Sequence, residues 1–460
     1  MRCLLTALLA GLAVAACAGP ASACTGDCDA NGVVTINELI NGVNIVLARS
    51  DLAVCRACDR DGDGTVMIAE LIDAVRATLD GCPATPTPSP SQNRPTSTLP
   101  PTPTATATQL SCEVDGVICT VAGTGRAEFG ADGLPALQTS LYFPIDITFD
   151  HAGRPLIMDY NNLVLRRLND DGTLSIVMGI PFIEDFPADG VLAKDTPLHH
   201  ASDFEFDATG RMYVAGDHVP VVFRVDTDDR VHTVAGTETF GYSGDGGPAL
   251  QAELNVPFGV VPDAAGGFYI SDLQEHVVRY VDVDGIITTV AGSRTLDGAA
   301  RPGYAGDDGP GISALLNGPS HLQIGPDQAL YFCETKNNVI RRLRPNGIID
   351  TVAGNGERGY AGDDGPAVAG KLDRPSDLRF APNGDLYIAD ANNHVIRRVD
   401  TNGVITTVVG SGTQGFGGDG GPAAAALLYR PSGVNFDVGG SMWIADYANH
   451  RVRRVWHFLP

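Results

Sequence analysis

The sequence has 460 residues, with 55 acidic against 31 basic side chains and a formal net charge of −24. Such an acidic chain repels phosphate groups, which argues against nucleic-acid binding and against adhesion to anionic lipid headgroups. Glycine and proline contribute 55 and 30 residues while aromatic residues make up 7%, a balance typical of turn-rich β structure rather than of a helical bundle. The length allows two or three domains, and the net charge favours cations or cationic partners over anionic ones.

The first 23 residues have the pattern of a secretory signal peptide. Met1 and Arg2 precede an apolar run that is too short to span a membrane, and no later run is long enough to form a transmembrane segment. Ala-Ser-Ala at 21–23 fits one cleavage site, whereas the segment ending at Cys17 resembles a lipobox whose cysteine would carry a lipid anchor. Both alternatives predict export, either to the exterior or to the cell envelope.

Residues 24–82 contain two copies of a twelve-residue calcium loop, at 27–38 and 59–70. In each copy, oxygen-bearing side chains stand at positions one, three and five, a glycine stands at the bend and a glutamate closes the loop, which is the pattern of an oxygen shell for Ca²⁺. The predicted metal ligands are Asp27, Asp29, Asn31, Val33 through its carbonyl, Glu38, Asp59, Asp61, Asp63, Thr65 through its carbonyl, and Glu70.

A helical pattern follows each loop, but no helix fits before the first one, so the unit is a loop with an exit helix, repeated. This organisation resembles the dockerin family, whose members anchor secreted proteins to cohesin modules. The resemblance implies a small α-helical calcium domain and a cohesin-like partner, although Ile36-Asn37 and Ile68-Ala69 replace the Ser/Thr pair of many cohesin-binding dockerins. Export favours disulfides between the five cysteines of this module, with a four-thiolate zinc site as the alternative.

A spacer and a repeat array make up the remainder. Residues 83–110 are rich in Pro and Thr with one charge, which predicts a linker that does not fold. Within 111–460 a strand signal of the type TVAG recurs at intervals of 56, 57, 56, 62 and 56 residues, with three more strand patterns between copies. This period predicts a β-propeller with four strands in each blade. A solenoid, the alternative, would need capping repeats at both ends.

The ends of the array are complementary. The strand pattern at 116–121 has no three strands before it, and the last copy has three strands but no fourth. Joining both ends would complete a sixth blade and remove an exposed sheet edge. The segments ADANNHVIRR at 389–398 and ADYANHRVRR at 445–454 resemble the NHL family, and the GYAGDDGPA loop with its TVAG strand is similar to the teneurin-like NHL repeats. The resemblance implies a six-bladed propeller.

Equivalent positions near the start of the first strands are expected to ring one mouth of the central channel. They are occupied by Asp146, Asp203, Gly259, His321, Asp377 and Gly433. The three carboxylates and the imidazole are candidates for catalysis, or for binding Ca²⁺ or another divalent ion. Acids also end the second strands of five blades, namely Asp159, Asp272, Glu334, Asp390 and Asp446. They could reach the same mouth, or they could pair structurally with third-strand arginines, namely Arg166, Arg224, Arg279, Arg341, Arg397 and Arg453.

Two functions remain open from these residues. His276, His394 and His450 stand at the repeat position itself and are interpreted as packing and hydrogen-bonding residues. NHL relatives include an α-amidating lyase, and lactonase and lyase relatives on similar propellers, as well as pure binding platforms, so the fold does not choose a chemistry. We expect an exported non-enzymatic scaffold that binds a protein or carbohydrate. The alternative is a metal-dependent lyase or hydrolase with its site at the channel mouth.

Overall fold

A computed structural model gives the fold, and the structure describes residues 112–186, 189–295 and 298–459. The predicted signal peptide, calcium module and spacer lie outside these residues and stay predictions. The described residues form β-strands and three-residue 3₁₀ turns, and within them no helix is long and apolar enough to cross a membrane. This part of the chain is mainly β.

Six antiparallel sheets form the blades of a propeller, each with four main strands. Blade 1 consists of Pro144–Phe149, Pro155–Asp159, Val164–Leu168 and Leu174–Met178; blade 2 of Ala201–Phe206, Met212–Gly216, Val221–Val225 and Val231–Gly236; blade 3 of Pro257–Pro262, Phe268–Asp272, Val277–Val281 and Ile286–Ala291; blade 4 of Pro319–Ile324, Leu330–Glu334, Val339–Leu343 and Ile348–Ala353; blade 5 of Pro375–Phe380, Leu386–Asp390, Val395–Val399 and Val404–Val409; and blade 6 of Gly433–Phe436, Met442–Asp446, Arg451–Val455 and Val117–Ala122. The 3₁₀ turns are Ala136–Gln138, Tyr160–Asn162, Ala193–Asp195, Ala249–Gln251, Gly311–Ser313, Ala367–Ala369, Ala391–Asn393, Ala423–Ala425 and Tyr447–Asn449.

The ring is closed by strands from both ends of the propeller. Val117–Ala122 pairs antiparallel with Arg451–Val455, and Ile118 lies opposite Val455. The first strands of successive blades contact one another around the ring, including those of blades 6 and 1. The predicted completion of the sixth blade by both ends is therefore confirmed. A disulfide between Cys112 and Cys119 links the closing strand to the segment before it.

The Gly/Asp-rich loop between blades covers the outer edge of the next blade. Its Gly-Pro dipeptide forms a short fifth strand against the fourth strand in blades 3 to 6. The four dipeptides are Gly247–Pro248, Gly309–Pro310, Gly365–Pro366 and Gly421–Pro422. In blades 1 and 2 a single bridge stands at the same place, Pro135 with Thr173 and Leu192 with Arg230. Backbone groups that an edge strand would otherwise expose are thus partly paired.

The apolar cores lie between blades because successive strand residues point to opposite faces of a sheet. In blade 5, Ile388 belongs to a cluster with Ile340 of blade 4. Its neighbour Ala389 belongs to a cluster with Ile444 of blade 6 and with Ile118 of the closing strand. Each blade therefore buries both of its faces against its two neighbours.

Ile118 and Ile349 offer a direct test of closure, since both are fully buried in fourth strands. We expect Ile118→Ala to lower the free energy of unfolding by about 2–5 kcal/mol, the usual cost of truncating a buried aliphatic side chain. Ile349→Ala, in a blade of continuous sequence, should cost a similar amount in chemical denaturation. A cost below about 0.5 kcal/mol for Ile118→Ala alone, as for an exposed position, would contradict the closed ring.

Candidate functional site at the channel mouth

Four polar residues of the predicted ring lie together in the channel. Asp146, Asp203, His321 and Asp377 begin the first strands of blades 1, 2, 4 and 5, and each is at most 3% exposed. An irregularity in the pairing immediately before each of them, such as the one between Pro144 and Asp146, bends the strand at this point. At Gly259 in blade 3, a Cβ atom would lie 2.6 Å from the Ser320 carbonyl oxygen, so that ring position has no room for a side chain.

Backbone amides hold the ring carboxylates in place. Asp377 accepts hydrogen bonds from Leu378 N and Val434 N, each at 2.7 Å, so both of its oxygens are engaged. Asp203 Oδ2 accepts the amide of Val260 at 2.9 Å. These bonds from Val260 and Val434 join each aspartate to the next blade.

Asp146 and His321 are less completely satisfied. Asp146 Oδ1 accepts the amide of Ile147 at 2.7 Å. Its buried Oδ2 and both ring nitrogens of His321 have no hydrogen-bond partner of good geometry among the described residues, and the Ser376 backbone acts on the imidazole as a weaker partner. One atom from each of Asp146, Asp203 and His321 nevertheless lies within 4.8 Å of the other two. Such buried polar atoms normally have partners, so this group has unused capacity for a ligand.

Electrostatic shifts follow from burial and crowding of like charges. Burial raises the pKa of Asp146 to about 6, and the Asp377 carboxylate adds to that shift. Burial also raises the pKa of Asp203 and that of Asp377. For His321, burial lowers the pKa, but the carboxylates of Asp203, Asp377 and Asp146 outweigh it and the net shift is upward. The ring therefore favours a positive charge among its carboxylates.

A salt bridge crosses the channel two residues further along the first strands than the ring. Arg379 of blade 5 contacts Glu205 of blade 2 at 2.6 Å, and these two blades face each other across a six-bladed ring. Both residues stand two positions after ring aspartates, on the same face of their strands. The repeat pattern does not single out this pair, although the period of two from Asp203 and Asp377 places both residues on the channel face of their strands.

Above the ring, a cavity of about 230 Å³ opens at the mouth. Its lining includes Tyr160, Phe258, His321, Arg374, Arg430 and Tyr447. These residues come from the starts of first strands and the ends of second strands, which meet at one end of an antiparallel sheet. The arginines are exposed. Arg374 stands immediately before the first strand of blade 5 and Arg430 three residues before that of blade 6. Both have a left-handed φ of 54°, so the backbone turn fixes where their side chains leave the chain.

The second-strand acids do not join this cavity but form buried pairs inside the blades. Their ion pairs are Asp159–Arg166 at 2.8 Å, Glu334–Arg341 at 2.7 Å, and Asp390–Arg397 and Asp446–Arg453 at 3.4 Å. The third-strand arginines of blades 3 to 6 bind loop acids, in the pairs Arg279–Asp245, Arg341–Asp307, Arg397–Asp363 and Arg453–Asp419. The structural interpretation is confirmed for the four acids with ion pairs, and the loop acids are additional partners. Asp272 of blade 3 is also buried, but it accepts the amide of Asn255 at 3.0 Å.

Blade 2 corrects one expectation. Phe223, rather than Arg224, lies opposite Val214, the place that Arg166 occupies opposite Ile157 in blade 1. The prediction that Arg224 belongs to the buried series was therefore wrong, and Arg224 instead binds Asp226 at 2.6 Å. The acid is missing at the corresponding second-strand position, which is Gly216. Because blade 2 lacks both the second-strand acid and the buried arginine, neither charge is buried there without a counterion.

The repeat histidines connect successive blades. The Nδ1 atom of His276 accepts the amide of Gly318 at 3.1 Å, and those of His394 and His450 accept the amides of Arg430 and Phe143 at 3.2 Å. Burial lowers the pKa of all three histidines, which favours the neutral ring that can accept. Their interpretation as packing and hydrogen-bonding residues is confirmed. They also fix the backbone beside the mouth.

The Glu334–Arg341 pair gives a pH-dependent prediction. Burial raises the pKa of Glu334 to about 7 even though Arg341 opposes the shift, and Arg341→Leu would raise it further. A carboxyl whose pKa is raised by folding stabilises the fold below its unfolded pKa, and that contribution is lost as pH rises through the folded pKa. We therefore expect the cost of Arg341→Leu in urea denaturation to grow between pH 5 and pH 8, reaching about 3–5 kcal/mol.

The control for this prediction removes the titrating group. In Glu334→Gln/Arg341→Leu, the cost relative to the wild-type protein should not grow in that way with pH, because no buried carboxyl is left unpaired. An Arg341→Leu cost that is equal at pH 5 and pH 8 would contradict the proposed contribution of the pair.

Comparisons with known proteins agree with this architecture. The teneurin NHL domain model matches residues 116–358, and the NHL repeat model matches residues 372–398. Human Teneurin-4 is 29% identical over 373 residues, covering 74% of this chain and 13% of the relative. Protein SUPPRESSOR OF QUENCHING 1, chloroplastic, of Arabidopsis thaliana is 26% identical over 343 residues, covering 70% of this chain and 31% of the relative. The match therefore spans a minor part of the length of these relatives.

A solved structure shows the same fold. An auxiliary nutrient binding protein from Bacteroides ovatus is similar with a TM-score of 0.53 and 16% identity, covering 74% of this chain and 76% of that one. The closed ring of six four-stranded blades with inter-blade histidines defines an NHL-type β-propeller. More narrowly, because its family model matches more than half of the sequence, the chain belongs to the teneurin NHL domain family.

Proposed function

We propose that the protein is an exported, calcium-binding and non-enzymatic scaffold whose propeller docks a protein partner at the channel mouth. The signal pattern at 1–23 supports export, and so does the disulfide between Cys112 and Cys119, because such bonds persist in oxidising compartments. The tandem loops within 24–82 support calcium binding. The Pro/Thr-rich segment at 83–110 would then act as a spacer between the module and the platform.

The observation that carries the docking proposal is the composition of the mouth. Tyr160, Phe258 and Tyr447 line one cavity together with Arg374 and Arg430. Aromatic residues and arginine dominate the energetics of protein interfaces, because they combine large apolar area with directed hydrogen bonding. A volume of about 230 Å³ suits one or two side chains of a partner better than a whole small-molecule ligand. The two arginines favour a segment that carries a carboxylate beside an apolar side chain.

The alternative, a metal-dependent lyase or hydrolase, requires ring residues that reach a substrate. Of the four polar ring residues, all within the described part of the chain, only His321 lines the mouth cavity. The three aspartates are at most 2% exposed, and both oxygens of Asp377 are held by amides. This arrangement supports a binding role over catalysis.

A displayed library of random peptides, selected on the full chain, tests the docking proposal. We expect enrichment of peptides that place Asp or Glu next to an aromatic or aliphatic residue. Arg374→Ala/Arg430→Ala should weaken their binding at least about tenfold, equivalent to about 1.4 kcal/mol. Titration calorimetry with synthetic peptides of the enriched sequences measures the change.

The matched control is Arg344→Ala, which follows the third strand at the opposite end of blade 4 and contacts Asp350. It should leave the peptide affinity unchanged. The docking proposal is wrong if the enriched peptides bind the double variant as well as the wild-type protein, or if glycan arrays give ligands for the mouth while peptide selection gives none.

The calcium proposal has its own test in the full chain. Calorimetric titration should show about two Ca²⁺ ions per chain for the two loops, and Glu38→Gln/Glu70→Gln should abolish both binding events, because the closing bidentate carboxylates are lost. Glu357→Gln, which alters an exposed carboxylate of the propeller, is the control and should change nothing. Unchanged calcium stoichiometry in Glu38→Gln/Glu70→Gln would exclude the two loops as the sites.

A further inference from the structure

We infer that the propeller channel holds one divalent transition-metal ion, of the Zn²⁺ class, bound by Asp146, Asp203 and His321. The inference goes beyond the proposed docking function and does not rest on it. It narrows the ring of four polar residues to three ligands from blades 1, 2 and 4. It also separates this ion from any calcium bound at the N-terminal loops.

The geometry of the three ligand atoms carries the argument. One atom of each residue lies within 4.8 Å of the other two, yet both nitrogens of His321 and Oδ2 of Asp146 lack a hydrogen-bond partner of good geometry among the described residues. Ligand atoms of a tetrahedral ion with bonds of about 2.0–2.1 Å stand about 3.3 Å apart. Small side-chain rotations therefore suffice to bring these atoms into one coordination shell.

The remaining ring residue is excluded by its own hydrogen bonds. Asp377 accepts amides with both oxygens, from Leu378 and Val434 at 2.7 Å. Asp146 and Asp203 each give a single oxygen to an amide, Ile147 N at 2.7 Å and Val260 N at 2.9 Å. Those amides orient the two carboxylates and leave the second oxygen of each for an ion, which is how outer-shell contacts usually support metal ligands.

The local charges also favour a cation at this place. Arg379 acts electrostatically on Asp146, but its guanidinium is already engaged by Glu205 at 2.6 Å. The carboxylates of Asp146 and Asp203 thus face one imidazole and no other unpaired cation within the described residues. Ionised Asp146 and Asp203 carry two negative charges, and a divalent ion bound together with the neutral form of His321 would balance them.

The donor set selects the class of ion. Ca²⁺ and Mg²⁺ take oxygen ligands almost exclusively, whereas an imidazole combined with carboxylates suits zinc and neighbouring first-row ions. His321 also lines the mouth cavity, which gives the ion a path into the channel.

The test loads the chelator-stripped full chain with Zn²⁺ and, separately, with Co²⁺ as a spectroscopic probe. Metal analysis after dialysis should find one Zn²⁺ equivalent fewer in His321→Gln and in Asp146→Asn than in the wild-type protein. The Co²⁺ difference spectrum between the wild-type protein and each variant should show visible d–d bands. It should lack the strong near-ultraviolet band of thiolate ligands, which would instead indicate metal held by N-terminal cysteines. Circular dichroism confirms that each variant is folded.

The matched control is Asp377→Asn, which changes an equally buried aspartate of the same ring. It should retain the Zn²⁺ equivalent and the Co²⁺ bands. Should either ligand variant fail to fold, Asp203→Asn replaces it, and the wild-type loading remains decisive. The inference is overturned if the stripped wild-type chain takes up no ion that these variants lack, or if Asp377→Asn loses the ion while remaining folded.

Discussion

The pairing of Val117–Ala122 with Arg451–Val455 is the interaction on which the rest of the propeller depends. It joins segments more than 300 residues apart in the sequence, and it converts an open row of blades into a ring. Blade 6 can then bury its inner faces against blades 5 and 1, and the first strands of all six blades surround one channel. The channel ring and the mouth cavity both exist as consequences of that closure.

In every blade except blade 2, a buried guanidinium connects the fold to the mouth. Arg341 bridges the end of the second strand, at Glu334, and the preceding loop, at Asp307. The same glutamate accepts the amide of Asn317 at 2.8 Å, which leads into the first strand of the blade. The repeat histidines then hold the corresponding backbone of the next blade, as His394 does for Arg430. Structural polar groups thus place the mouth residues.

The repeat period and the unmatched end strands were enough to predict the six-bladed ring. Both features have simple physical causes. Each blade repeats the same set of strand patterns once per period, and an unpaired sheet edge needs a partner strand. The ring residues Asp146, Asp203, His321 and Asp377 could also be placed in the channel, because equivalent repeat positions occupy equivalent places. The predicted calcium loops lie outside the described residues and remain untested.

Other features required three-dimensional contacts. The Glu205–Arg379 bridge joins blades that face each other. The period of two places both residues on the channel face of their strands, but their pairing across the channel required the structure. In blade 2 the strand register buries Phe223 in place of an arginine. From the sequence alone, this register could not be distinguished from one shifted by a single residue, which would bury Arg224. Two amides hold Asp377, whereas Asp146 and His321 have buried polar atoms without a hydrogen-bond partner of good geometry among the described residues. Side-chain identity does not reveal this difference.

Amide hydrogen exchange in the closing strand tests the central claim most directly. Mass spectrometry on the full chain would measure the exchange rates of two fourth strands. Segment 117–122 is the closing strand, and segment 348–353 belongs to a blade of continuous sequence. A closed ring predicts protection of both segments with similar opening free energies, since both are paired and buried. Rapid exchange in 117–122 beside strong protection in 348–353 would contradict closure, and with it the channel site and the mouth.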